Sequence, residues 1–278
     1  EKNQELKSLM LEETPWVLDA KDESERKKRV ALLFDFNRMS NELDKAHRKL
    51  QKMQLPNGGW PWFESMEDDR YITQHIITGI GHLEHLGIKV RDDKKTSDMV
   101  QDGVKYLDQR IREDYEWLLK HNKENMDKNH IGYVQIQYLY ARSYFREIAV
   151  ASNCEKAFEY YKGQAKKYWL ENNRYMQGMI ALALYRYEDK ATPPAIILSL
   201  KENALYREEM GMYWKDDYEG YYWWESPIEQ HSLLVEAFDE VANDKKSVDD
   251  LRVWLLKSNQ TQDWKTTKAP TEAGYALL

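Results

Sequence analysis

Residues that interrupt helices are scarce in this chain, which holds 12 glycines and 7 prolines in 278 residues. An interior glycine costs a helix roughly 1 kcal/mol relative to alanine and a proline roughly 3. Long stretches free of both therefore read as helices joined by short connections. Apolar residues recur at helical spacing. They predict one long helix from Asp22 to about Met53, with Val30, Leu33, Phe34, Leu43, Leu50 and Met53 on or near one stripe. Further helices are predicted over 71–86, 96–119, 131–145, 154–170, 174–187, 194–206, 227–241, 247–256 and 268–278, and 1–21 reads as a peripheral segment. The run Leu55-Pro56-Asn57-Gly58-Gly59 is a strong turn signal. Residues 211–226 break the pattern. They are aromatic, acidic and contain glycine, which fits a small β-hairpin or an ordered loop.

The predicted helices are of two kinds. Those starting near Tyr71, Ile131, Arg174, Pro227 and Lys268 are apolar on most faces, as in Ile180-Ala181-Leu182-Ala183-Leu184, whereas 96–119, 154–170 and 247–256 are two-faced. An all-round apolar helix belongs inside and a two-faced one outside. A Trp-rich loop feeds a helix three times, at Trp60/Trp62, Trp223/Trp224 and Trp264, and Trp224 and Trp264 are 40 residues apart. A step near 40 with two helices per unit is a helical-hairpin array. Alternation of the two kinds favours an all-α fold, an α/α toroid of about five hairpins, as a single domain over 1–278. The chain starts at Glu1 and stops at Ala276-Leu277-Leu278 inside an apolar helical pattern. The expectation is a piece of a longer polypeptide.

Forty-one Lys and Arg against 48 Asp and Glu leave a net charge of −7. That balance gives no electrostatic reason to seek nucleic acid or an anionic membrane. Basic runs such as Arg26-Lys27-Lys28-Arg29 read as solvated helix faces. Cys154 is the one cysteine, so neither an intrachain disulfide nor a cysteine-based metal site is available. No apolar run approaches the ~20 residues that span a bilayer.

Three segments carry a family resemblance. Leu55-Pro-Asn-Gly-Gly-Trp-Pro-Trp-Phe63, followed by Tyr71-Ile-Thr-Gln-His-Ile-Ile-Thr-Gly-Ile-Gly-His-Leu83, resembles a turn and helix of the thioester domain in alpha-2-macroglobulin-like proteins. Tyr222-Trp-Trp-Glu-Ser-Pro-Ile-Glu-Gln230 is similar to a bacterial version of a later repeat. Trp264-Lys-Thr-Thr-Lys-Ala-Pro-Thr-Glu-Ala-Gly-Tyr-Ala-Leu-Leu278 resembles a further segment, and the three occur in the family's order. The resemblance implies an α/α toroid within a bacterial protease-trapping inhibitor. Its partners would be the other domains of the parent protein and, indirectly, proteases. It also implies a periplasmic or cell-envelope location, with a lipid anchor on the parent as one route. The family's chemistry comes from a Cys-x-Glu-Gln thioester motif. Here Cys154 is followed by Glu155-Lys156-Ala157, and the motif occurs nowhere in the chain. Either it lies upstream of Glu1 or the parent lacks it. No cofactor and no catalytic residue is expected from this stretch.

The densest polar and aromatic cluster is Trp223, Trp224, Glu225, Glu229 and His231. With Trp60, Trp62 and His75 it forms the candidate binding groove. Two carboxylates ~5–10 Å apart beside stacking rings would suit a glycoside hydrolase or polysaccharide lyase, the rival reading. Acids at a helix start are also stabilising in their own right. Trp60 after Gly58-Gly59 equally suits a plug at the end of a helical barrel. His75, His82 and His85 share one helix without a zinc-protease pattern, and Glu67, Asp68 and Asp69 lack calcium-loop spacing, so no metal site is assigned.

Overall fold

A computed structural model describes residues 36–215, 227–261 and 268–278. The fold is all-α with one small β-hairpin. Ten α-helices are seen among the described residues: α1 (Phe36–Met53), α2 (Arg70–His85), α3 (Lys94–His121), α4 (Tyr133–Ser143), α5 (Glu155–Tyr168), α6 (Arg174–Arg186), α7 (Thr192–Glu202), α8 (Pro227–Ala242), α9 (Lys245–Thr261) and α10 (Lys268–Leu277). Strands β1 (Leu205–Arg207) and β2 (Gly211–Tyr213) pair antiparallel between α7 and α8. Residues 1–35 of the predicted first segments lie outside the described residues. No described helix is long and apolar enough to cross a membrane.

By internal contacts the chain falls into two compact units. One comprises residues 50–202 with 240–243; the other takes the described residues up to 49, with 203–239 and 244–278. In the first unit α2 packs on α4 and α4 on α6, while α3 packs on α5 and α7 on α6. The helices thus form two layers, and burial follows composition. Every residue from Ile136 to Ser143 in α4 is buried, as is every residue from Gly178 to Leu184 in α6. In α5 only the stripe Ala157, Phe158, Tyr161, Gln164 and Ala165 is buried. Lysines and glutamates cover its other side. Burying each large apolar side chain contributes roughly 1.5–3 kcal/mol, so the inner helices hold most of the favourable burial.

A helix buried on all sides must also satisfy its polar side chains inside. Arg142 of α4 does so against Asp108 of α3, with Nε 3.0 Å from Oδ1. Tyr138 Oη donates to the same oxygen at 2.7 Å. The two remaining Arg142 nitrogens donate to the carbonyls of Phe145 and Ile148. These bonds tie down the chain where α4 stops. Burial pushes the Asp108 carboxyl above its usual range, and the guanidinium opposes that push.

The second unit holds the expected small β-hairpin, and its first strand shortens one predicted helix. The helix predicted over 194–206 ends at Glu202, and Leu205–Arg207 becomes a strand that pairs with Gly211–Tyr213 at the start of the predicted 211–226 stretch, of which 216–226 lie outside the described residues. Gly211 explains the placement. It sits at φ +72°, and a Cβ there would lie 2.0 Å from the Asp250 carbonyl of α9. Only glycine lets the strand lie so close to that helix. The expected stripe on the first helix also differs, because Leu43 stands half exposed.

Replacing Asp108 with alanine would strand a buried guanidinium and the Tyr138 hydroxyl. The expected loss of stability is about 3–5 kcal/mol, read from urea unfolding.

Candidate functional site

The turn before α2 is built around Trp60. Gly58 adopts φ +89°, and a Cβ on it would fall 2.2 Å from the Asp102 carbonyl of α3. The chain therefore passes against α3 with no room for a side chain and drops Trp60 into the core, where it is fully buried. Its indole Nε1 donates to the Leu50 carbonyl at 2.8 Å, and its backbone N donates to Thr73 Oγ1 at 2.9 Å. Thr73 Oγ1 in turn donates to the Asp69 carbonyl at 2.8 Å. Asp69 caps α2, its side chain accepting from Ile72 N at 2.9 Å. Trp60 is thus the plug of the hairpin and not a ligand platform.

Asp68 locks this turn to α3. Its carboxylate accepts from Tyr106 Oη at 2.5 Å, Arg110 at 2.8 Å and Asn57 Nδ2 at 2.8 Å. Burial acts to raise the Asp68 pKa, but the three donors outweigh it and the net direction is down. Burial, with the bond to Asp68, pushes Tyr106 up to about 12. Asp68 and Asp69 are therefore structural acids, one a lock and the other a cap.

Beyond the plug the turn is open. Trp62 is 50% exposed and stacks on Tyr71 with centroids 5.9 Å apart, and Tyr71 stacks on His75 at 6.2 Å. Phe63 and Met66 beside it are 69% and 51% exposed. The structure thus brings two of the predicted groove residues, Trp62 and His75, into one aromatic ladder.

The other predicted residues belong to the second unit. Glu229 and His231 are buried in α8, whose residues are buried continuously from Ile228 to Phe238. The His231 ring stacks on Trp254 of α9 at 3.6 Å and 9°, and meets Trp214 edge-on at 5.5 Å. Its Nδ1 lies 2.9 Å from the Pro227 carbonyl. These are the surroundings of a core histidine. Trp223, Trp224, Glu225 and Trp264 lie outside the described residues.

A cluster of which the sequence patterns singled out only His82 sits at the C-terminal ends of α2, α4 and α6. His82 Nε2 lies 2.9 Å from Tyr140 Oη, which lies 2.8 Å from Tyr144 Oη. The Arg186 guanidinium stands 3.9 Å over the Tyr144 ring and binds both oxygens of Glu240, Nε at 2.9 and 3.1 Å and a terminal nitrogen at 2.5 Å. The available signal was the i, i+4 pair Tyr140/Tyr144 at the end of α4. Arginine and glutamate 54 residues apart leave no local pattern.

A cleft of about 220 Å³ opens in the first unit between α5 and the turn after α6, lined in part by Glu159, Lys162, Lys166, Tyr187 and Asp189. Two of its acids have cationic partners among the lining lysines, Glu159 with Lys162 at 2.6 Å and Asp189 with Lys166 at 2.6 Å. Asp189 also accepts from the backbone N–H groups of Ala191 and Thr192, at 2.9 and 2.8 Å. Burial acts to raise its pKa, but these bonds hold it down at about 2. A carboxyl so acidic is a poor proton donor near neutral pH.

Cys154 precedes α5 and is 3% exposed. Burial pushes its thiol above the usual range, with the Asp108 charge adding to the effect. A buried thiol held protonated is a weak nucleophile. No family model matches the chain, and no curated protein matches it either.

Two outcomes follow from this geometry. Cys154 is expected to react with a water-soluble disulfide reagent only after denaturant opens the fold; rapid modification of the native chain would contradict its burial. Burial, with the bond to Asp68, raises the folded-state pKa of Tyr106 from 10.0 to about 12. The bond's contribution to stability is whole below pH 10 and fades as pH rises toward 12. The difference in urea midpoint between the native chain and Tyr106→Phe is expected to shrink across that window.

Proposed function

We propose that this chain is a non-catalytic helical body of a bacterial alpha-2-macroglobulin-like protease trap, and that it acts without a thioester of its own. One observation carries the reading. Among the residues behind the family resemblance in Leu55–Phe63 and Tyr71–Leu83 are three on which the first unit turns: Gly58 at the close approach to α3, Trp60 as the plug, and Thr73 as the acceptor for Trp60 N. A resemblance confined to surface positions would carry less weight. The absence of Cys-x-Glu-Gln from the chain, with Cys154 buried and followed by Glu155-Lys156-Ala157, supports a mechanical role over covalent capture. In this reading the helical units dock on other domains of the same polypeptide, in the periplasm or cell envelope, and meet proteases only indirectly.

The carbohydrate-enzyme rival asks for a protonated acid facing an ionised one across a cleft. Neither the low pKa of Asp189 nor the burial of Glu229 favours it.

The test is made on the parent polypeptide that contains this chain, mixed with endoproteases of differing specificity. The expected result is limited cleavage, after which the protease still cuts a small chromogenic amide but loses activity on casein. Unimpaired digestion of casein would overturn the proposal, as would depolymerisation of a polysaccharide by the chain itself. Methylamine is expected to leave no label on residues 1–278.

A further inference from the structure

We draw no further inference here: the strongest candidate, the exposed apolar turn carrying Trp62, Phe63 and Met66 just ahead of α2, has nothing in the structure to show what covers it.

Discussion

The first unit depends on the burial of one indole. Trp60 fills the space between the end of α1, the start of α2 and the middle of α3. It can do so because its single polar hydrogen finds the Leu50 carbonyl. A buried indole N–H without an acceptor would cost on the order of 1–3 kcal/mol. With the acceptor present, the ring adds its full apolar area to the core. The bond reaches back ten residues, to the last turn of α1. Loop, cap and two helices are thereby fixed around one side chain.

The inner helices solve a related problem by other means. Being buried on nearly every side, α4 and α6 cannot send their polar side chains into solvent, so these pair largely with polar groups of neighbouring helices. Asp108, Tyr138 and Arg142 form one such group, and His82, Tyr140 and Tyr144 another. Arg186 divides its interactions between Glu240, Ser143 Oγ and the Tyr144 ring. Such groups raise stability only when every member is satisfied, and they constrain how the layers register because the partners come from different helices.

The helical character was legible in the sequence, and so was the division into all-round and one-sided helices for α4, α5, α6 and α8, because both depend on apolar spacing; α2 and α10, expected to be all-round, bury only part of their residues. Ile180–Leu184 is an inner helix and α5 is one-sided, as their patterns indicate. Trp60 as a plug was one of two readings, and the spacing alone did not choose between them. What spacing cannot carry is pairing over distance. The Arg186–Glu240 bond and the Asp108–Arg142 bond join residues 54 and 34 apart, and nothing in either neighbourhood marks the partner. The overlong helix predicted over 194–206 has a comparable cause. Leu205-Tyr206-Arg207 suits a helix as well as a strand, and the deciding contact is a carbonyl 39 residues beyond Gly211. Of the candidate groove, Trp62 and His75 share a ladder, Trp60, Glu229 and His231 are core, and the remaining three residues lie outside what is described.

Gly103 has a mechanical consequence. It lies inside α3, where glycine weakens a helix, and a Cβ there would come within 2.8 Å of the Trp60 ring and of Ile77 Cδ1. The indole therefore sits in a notch that α3 offers at one level only. One turn toward either end of the helix, Met99 and Leu107 would meet the ring with full side chains. Axial creep of α3 by a single turn is blocked by steric exclusion, so the longest described helix behaves as a keyed shaft whose height is set by one missing methyl group.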